Sequence, residues 1–339
     1  MQLVETPDNP IPRRPNVMSV ETEDGVTLRA ARWRPTTRKD RGTVCILQGR
    51  AEFIEKYFET VTELRRRGFA VVAFDWRGQG LSGRALAERA KGYVRNFDQY
   101  GRDLEAIRIN VLEPYMPKPH FALGHSMGGA IALAEARAGR LPFARLVATS
   151  PMLALCMVKS PKVAATTALL LRLAGLGGQY VPGGGATSIA KKRFAGNRLT
   201  SDPVRYARNA DVAAALGDGA IGDPTVAWLD SAFRFMRKFA DPRFPLELRT
   251  PTLVVAAGAD PVCATPVIER FAARLKAGHA IVLPGARHEI LMERDAIREE
   301  FWAAFDAFIP GSADATFDYS PVEELERGLV DAAVAGGDD

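Results

Sequence analysis

Short apolar segments alternate along this chain with longer segments of helical periodicity. The apolar segments are rich in β-prone residues and end in Gly, Pro or Ser, which is typical of buried strands. This alternation predicts an α/β fold whose mostly parallel sheet carries helices on both faces. The predicted strands are residues 16–22, 26–33, 43–48, 70–75, 120–123, 145–150, 252–257 and 280–283, with Asp24-Gly25 as a hairpin turn between the first two.

The alternation stops between residues 151 and 248, where apolar helix-like stretches and Asp-Pro pairs carry no convincing strand. We therefore predict a helical cap, residues 151–248, inserted after the sixth strand of a core made of residues 1–150 and 249–310. A last helix is predicted over 295–308, with its apolar residues on one face. Residues 311–339 are acidic and poor in apolar periodicity, so we expect a flexible tail with one marginal helix over 321–334 at most.

The composition is that of an ordinary globular protein, since 47% of the 339 residues are hydrophobic and 25% are charged. The net charge of +5 is uneven, because residues 312–339 carry −7 and the rest of the chain carries +12. A basic body attracts anionic surfaces such as phospholipid headgroups, although solubilising surface arginines explain the same charge. No basic run is interleaved with aromatic residues, so nucleic acid is not an expected partner. The sequence leaves the oligomeric state open.

Targeting signals and cysteine usage bear on the compartment. The first twenty residues lack the charged-then-apolar order of a secretory signal, and no apolar run is long enough to cross a bilayer. We expect a cytoplasmic protein, with peripheral contact at the inner face of the membrane as an open alternative. Cys45, Cys156 and Cys263 lie far apart and fit neither a disulfide framework nor a metal cluster. We expect all three to be buried thiols.

The segment Gly124-His125-Ser126-Met127-Gly128 has the pattern G-x-S-x-G, and it joins a buried strand to an Ala-rich helix. A serine at such a sharp turn needs neighbours without a Cβ atom two positions away, so that strand and helix can pass closely. Gly124 and Gly128 meet this need. The turn would raise the Ser126 hydroxyl above the sheet and point the Met127 N–H at a developing oxyanion. The alternative is a serine that only caps the helix.

A serine nucleophile needs a histidine base, and the chain has four histidines. His288 follows a predicted strand at the carboxyl edge of the sheet, where Ser126 also lies, and it is the expected base. His120 would open the strand that leads to Ser126, and His279 would precede a strand at the opposite edge. The side chain of His125 would leave the turn on another side. For these three histidines we expect structural roles.

The third member of the expected triad is a carboxylate that orients the base. Asp260 follows the strand over 252–257 and gives the chain order Ser126, Asp260, His288, which is the order expected for this kind of sheet. An Asp before a Pro also forms ordinary turns, which is the alternative for Asp260. Asp75 competes for the role, but its loop favours a bracing function.

A second oxyanion donor is expected in the loop after the third strand, Gln48-Gly49-Arg50-Ala51-Glu52. Gly49 would let the backbone approach the substrate, and the N–H of Arg50 is the expected donor. The alternative is that Gly49 only makes a turn. No residue pattern calls for a metal or a cofactor.

These motifs together resemble the α/β-hydrolase fold, and within it the monoacylglycerol lipases and lysophospholipases, particularly the bacterial lysophospholipase L2 group. The resemblance covers about residues 15–310 and extends into the predicted cap. Relatives commonly have His-Gly where this chain has Gln48-Gly49, a difference that bears on loop bracing and substrate preference. The segments that carry the resemblance are residues 48–52, 56–57, 75–82, 124–129, 197–202, 224–229, 258–260 and 285–288.

The resemblance implies hydrolysis of a carboxylic ester through an acyl-serine intermediate, without a cofactor, and a lysophospholipid or monoacylglycerol as substrate. The apolar stretch 163–176 would line an acyl tunnel, touch a lipid surface or simply pack a cap helix on the body. A small-ester esterase, an aminopeptidase and a cofactor-free haloperoxidase share the same triad and stay open. A non-catalytic ligand-binding protein on this frame is a further alternative.

Overall fold

The computed structural model describes residues 2–37, 40–140 and 143–309. All eight predicted strands are present in it. The main difference is in β8, which begins at Gly278, so that His279 lies within the strand and not before it. The strands are β1 (Asn16–Glu21), β2 (Thr27–Trp33), β3 (Thr43–Leu47), β4 (Ala70–Phe74), β5 (His120–His125), β6 (Arg145–Thr149), β7 (Thr252–Ala257) and β8 (Gly278–Leu283).

The strands form one sheet in the order β1-β2-β4-β3-β5-β6-β7-β8. The first pairings, β1 with β2 and β2 with β4, are antiparallel, and the Asp24-Gly25 turn joins β1 to β2 as predicted. From β4 to β8 every neighbouring pair is parallel. The carboxyl ends of β3, β5, β7 and β8 therefore meet at one edge of the sheet, which is where the candidate site lies.

Helices cover both faces of the sheet. All residues of β3, β4 and β7 are buried, as near-continuous apolar runs require when neither face meets water. The helices are α1 (Phe58–Arg66), α2 (Asp98–Ile107), α3 (Glu113–Tyr115), α4 (Met127–Arg137), α5 (Pro161–Leu171), α6 (Pro203–Ala215), α7 (Val226–Met236), α8 (Phe244–Glu247), α9 (Thr265–Ala272) and α10 (Asp295–Phe308). Short 3-10 turns span Ile54–Tyr57, Ile189–Lys191, Gly217–Gly219, Arg237–Ala240 and Ile290–Met292, and π turns follow α2 and α5 at Arg108–Leu112 and Arg172–Leu176.

The segment between β6 and β7, residues 150–251 and here called the insert, contributes helices α5 to α8 and no strand to the sheet within its described residues. One side of α5 packs inward through Ala168. The opposite side is exposed to solvent although it is apolar. We call this the apolar surface of the insert, and its large members are Met157, Val163, Leu169, Leu170, Leu173 and Leu176.

The chain divides into two compact units, one up to Phe301 and one from Trp302, the second being described as far as Ile309. The predicted last helix is α10, with the bounds expected from its periodicity. The predicted tail, residues 311–339, lies outside the described residues. None of the described helices combines the length and the hydropathy that a bilayer span requires.

Candidate active site

Ser126 occupies the turn between β5 and α4 with backbone angles that only a strained residue adopts. Its φ is 49° and its ψ is −111°, in a region that non-glycine residues rarely visit. A Cβ on Gly124 would lie 2.7 Å from the Cα of Gly129, and a Cβ on Gly128 would lie 2.1 Å from the carbonyl oxygen of Leu47. The two glycines thus let α4 pass directly over β5 and the end of β3, as the sequence pattern predicts.

The three side chains expected to form a triad lie in one hydrogen-bonded row. The Nε2 of His288 is 3.0 Å from the Oγ of Ser126, and its Nδ1 is 2.8 Å from the Oδ2 of Asp260. The other carboxylate oxygen of Asp260 accepts the N–H groups of Val262 and Cys263 at 2.8 and 3.0 Å. Three loops that are far apart in the sequence therefore bring a hydroxyl, an imidazole and a carboxylate together at the carboxyl edge of the sheet.

The charge on Asp260 is held by its surroundings. Burial alone would raise the pKa of this carboxyl, but the hydrogen bond and charge of His288 and the two backbone N–H groups outweigh burial and lower the pKa below its usual value. Asp260 is therefore an ionised acceptor near neutral pH. Such an acceptor fixes the proton on the Nδ1 of His288 and leaves Nε2 free to take one from Ser126.

The two backbone N–H groups predicted as oxyanion donors belong to Met127 and Arg50. Met127 is the first residue of α4, where N–H groups have no partner inside the helix. In the loop after β3, the N–H of Gly49 donates to the carboxylate of Glu52, and the N–H of Ala51 donates to Gln79 at 3.2 Å. Among the described residues no acceptor takes the Arg50 N–H that lies between them. The Arg50 N–H is therefore left available in this loop.

The side chain of Gln48 is fully buried. Neither the Oε1 nor the Nε2 of its amide has a hydrogen-bond partner among the described residues. The loop is braced instead through the main chain, because the indole N–H of Trp76 donates to the carbonyl of Gln48 at 2.9 Å. Gln79 adds a second brace by donating to the carbonyl of Gly49 at 2.8 Å.

Comparison with known proteins gives the family. A family model described as serine aminopeptidase, S33, matches residues 38–295. The chain belongs to this family. It is 33% identical to lysophospholipase L2 of Escherichia coli (strain K12) over 81% of this chain and 82% of that protein. It is also 30% identical to monoglyceride lipase of Rattus norvegicus, over 43% of this chain and 45% of that protein.

Solved structures share the fold. A thermostable carboxyl esterase of Bacillus coagulans matches with a TM-score of 0.71 and 21% identity, over 88% of this chain and 98% of that chain. A monoglyceride lipase variant of Saccharomyces cerevisiae matches with a TM-score of 0.69 and 18% identity, over 88% and 97% of the two chains. The predicted α/β-hydrolase fold and the predicted family are confirmed. The predicted enzyme class, a carboxylic ester hydrolase, is confirmed with them.

A buried ionic cluster beside the site was not predicted. The Nζ of Lys56 lies 2.7 Å from the carboxylate of Glu52 and 2.6 Å from that of Glu289. Glu52 also accepts the hydroxyl of Tyr57 at 2.6 Å. Burial would raise the pKa of Glu52, but Lys56 and the neighbouring hydrogen bonds lower it to about 2. The four-residue spacing of Glu52 and Lys56 could have indicated their ion pair. The contact with Glu289 could not be inferred in this way, because Lys56 and Glu289 lie far apart in the sequence.

The other three histidines do not form part of the row. His120 contacts the carbonyl of Met116 at 3.2 Å, and His279 lies in the edge strand β8. His125 is bonded through Nδ1 to Thr149 at 3.1 Å, and burial lowers its pKa to about 3. Contrary to expectation, its side chain does not leave the site. Its ring centre lies 4.9 Å from that of His288.

Asp75 has the bracing role predicted for its loop, and two of the three cysteines are buried. Asp75 braces its surroundings by accepting from Arg29 at 2.7 Å and from the N–H groups of Ile54 and Leu81 at 2.9 and 2.8 Å. Cys45 and Cys263 are buried as predicted. The prediction is wrong for Cys156, which is exposed because it lies in a loop at the start of the insert and not in a strand.

Proposed function

We propose that this hydrolase cleaves the acyl ester of a lysophospholipid or a monoacylglycerol through an acyl-serine intermediate. Ser126 is the nucleophile, His288 the general base and Asp260 the residue that orients the base. The observation that carries the proposal is the unbroken row of hydrogen bonds from Ser126 through His288 to Asp260, at 3.0 and 2.8 Å. A serine that only caps a helix needs neither of the other two side chains.

The geometry supplies each step. The Nε2 of His288 takes the proton of Ser126 while the Oγ attacks the ester carbonyl carbon. The negative charge that develops on the carbonyl oxygen is held by the N–H groups of Met127 and Arg50. His288 then donates its proton to the leaving alcohol oxygen, and the acyl group stays on Ser126. His288 then takes a proton from water, whose oxygen attacks the acyl carbon. The bond from that carbon to the Oγ of Ser126 breaks, His288 returns the proton to Oγ, and the fatty acid and the free serine are released.

A lipid substrate is supported by the relatives and by the insert. The similar proteins include a lysophospholipase and monoglyceride lipases. We propose that the insert acts as a cap over the site. Leu170 and Leu173 on the apolar surface of the insert are 61% and 68% exposed. Such a surface fits peripheral contact with a lipid aggregate, aided by the basic body of the chain. We propose this contact at the inner face of the cytoplasmic membrane.

The nucleophile is tested with a fluorophosphonate probe, which labels an activated serine. We expect labelling of the wild type and none of Ser126→Ala. A Ser160→Ala variant is the matched control, since Ser160 lies in the insert before α5 and outside the hydrogen-bonded row. Labelling of Ser126→Ala at the wild-type rate would remove Ser126 from the mechanism.

The substrate class is tested with p-nitrophenyl esters from acetyl to palmitoyl and with amino-acid p-nitroanilides. We expect kcat/KM to rise with acyl length up to a medium or long chain and the anilides to be inert. Activity confined to the acetyl ester would exclude a lipase. Hydrolysis of the anilides alone would favour the aminopeptidase that the family description names.

A further inference from the structure

The side chain of Arg50 extends from the loop after β3 to residues of the insert. Its Nη2 donates to the carbonyl of Gly222 at 2.8 Å, and the guanidinium carbon lies 5.0 Å from the ring centre of Trp228. Its Nε is buried and has no hydrogen-bond partner among the described residues. The guanidinium is thus fixed in place with part of its donor capacity unused.

No described carboxylate forms an ion pair with Arg50. The acids around it are engaged by other groups: Glu52 pairs with Lys56 at 2.7 Å, and Asp223 accepts the N–H of Gly185 at 3.1 Å and lies 3.6 Å from Lys192. Burial lowers the pKa of Arg50 to about 10, so the group is still a cation at neutral pH. The charge of Asp223 offsets part of the cost of burying this cation, and a bound anion would offset more of it.

The loop that carries Arg50 lies next to the turn that holds Ser126. A Cβ on Gly49 would lie 3.1 Å from the ring of His125, the residue next to Ser126, so the loop that carries Arg50 lies against the turn between β5 and α4. The main chain of Arg50 is the proposed oxyanion donor for the ester carbonyl. Its side chain is about as long as the glycerol unit that separates the ester of a lysophospholipid from its phosphate. The length of the Arg50 side chain therefore matches the separation of the two groups.

We propose that Arg50 binds the phosphate diester of a lysophospholipid and so makes this enzyme prefer lysophospholipids over monoacylglycerols of the same acyl chain. The inference rests on the proposed function and narrows its substrate class. The planar guanidinium can donate two parallel hydrogen bonds to two phosphate oxygens. A lysine ammonium is attracted to phosphate only as a point charge and lacks this paired geometry. A monoacylglycerol offers only a neutral hydroxyl at the same place.

The test is the ratio of kcat/KM for 1-palmitoyl-lysophosphatidylcholine to kcat/KM for 1-palmitoylglycerol, both in mixed micelles of one neutral detergent. We expect a ratio well above one in the wild type and a ratio about 10- to 100-fold lower in Arg50→Met, the loss typical of a charge-assisted hydrogen bond. Arg50→Lys should lie between them. Arg243→Met, which removes an exposed charge 3.5 Å from Asp241, is the control for general attraction to the micelle, and its ratio should equal that of the wild type.

An equal fall for both lipids in Arg50→Met, with the ratio unchanged, would overturn the inference and make Arg50 an anchor of the insert only. Hydrolysis of neither lipid by the wild type, with p-nitrophenyl esters still cleaved, would overturn the proposed lipid substrate itself.

A second measurement needs no variant to fold. Glycerol 3-phosphate should inhibit the hydrolysis of p-nitrophenyl butyrate by the wild type competitively and more strongly than glycerol. Equal inhibition by the two compounds would also overturn the phosphate site.

Discussion

Replacing Lys56 by methionine removes the one cation that two buried carboxylates share. The ammonium lies 2.7 Å from Glu52 and 2.6 Å from Glu289, and all three side chains are at most 8% exposed. Removing one partner of a buried ion pair costs about 3–5 kcal/mol, because the remaining charge has lost its compensation. Since two acids lose their partner here, we expect Lys56→Met to lower the free energy of unfolding by an amount in the upper half of that range.

The loss should depend on pH with a definite sign. Without Lys56, burial raises the pKa of both carboxyls in the folded variant above the value of about 4.3 for an unfolded glutamate. A raised folded-state pKa of an acid destabilises the protein above that pKa, and the penalty disappears as the pH falls and the acids take up protons. The gap between wild type and Lys56→Met should therefore narrow between neutral pH and about pH 4.3.

The assay is urea unfolding followed by tryptophan fluorescence at several pH values. Lys238→Met is the matched control, because Lys238 pairs with Asp98 at 3.0 Å on the surface with 48% and 63% of the two side chains exposed. That change should cost less than about 1 kcal/mol. A loss in Lys56→Met no larger than in Lys238→Met, or a gap that widens as the pH falls, would refute the argument.

Three further predictions follow from the site and the insert. Asp260→Asn should lower kcat for p-nitrophenyl butyrate by about 10⁴-fold with little change in KM, because the amide no longer selects the productive tautomer of the base. Gly128→Ala should lower the melting temperature measured by calorimetry, because its Cβ would lie 2.1 Å from the carbonyl of Leu47. The double variant Leu170→Asp, Leu173→Asp should lose sedimentation with anionic lipid vesicles, because both side chains face solvent from the apolar surface of the insert.

Each of these has its own contrary result. A kcat for Asp260→Asn within ten-fold of the wild type would mean that another group orients the base. An unchanged melting temperature for Gly128→Ala would mean that helix α4 does not need its close approach to β3. Vesicle binding that survives in the double leucine variant would assign the contact to a different surface.

The fold and most of the candidate site could be predicted from local sequence patterns. The strands were predictable because buried strands are short apolar runs, and the turn at Ser126 because Gly124 and Gly128 are needed wherever a strand and a helix pass this closely. His288 and Asp260 could be placed because both follow strands whose carboxyl ends share one edge of the sheet.

Contacts that depend on side-chain direction across long sequence separations could not be predicted. Glu289 could not be predicted as a partner of Lys56, because hydrophobic periodicity does not indicate which loops meet at the edge of the sheet. The approach of the His125 ring centre to within 4.9 Å of that of His288 joins two residues far apart in the sequence in the same way. The exposure of Cys156 depends on how the first loop of the insert leaves β6, which composition does not reveal.

The exposed leucines and valine of the apolar surface of the insert have a practical consequence for enzymology. Val163, Leu170 and Leu173 each have more than 60% of their surface in water, and such contiguous apolar area drives molecules to associate with one another when no lipid is offered. In detergent-free buffer we expect specific activity to fall as the enzyme is concentrated and to recover on dilution. Kinetic constants for this hydrolase will therefore be comparable between preparations only at a stated protein concentration and detergent content.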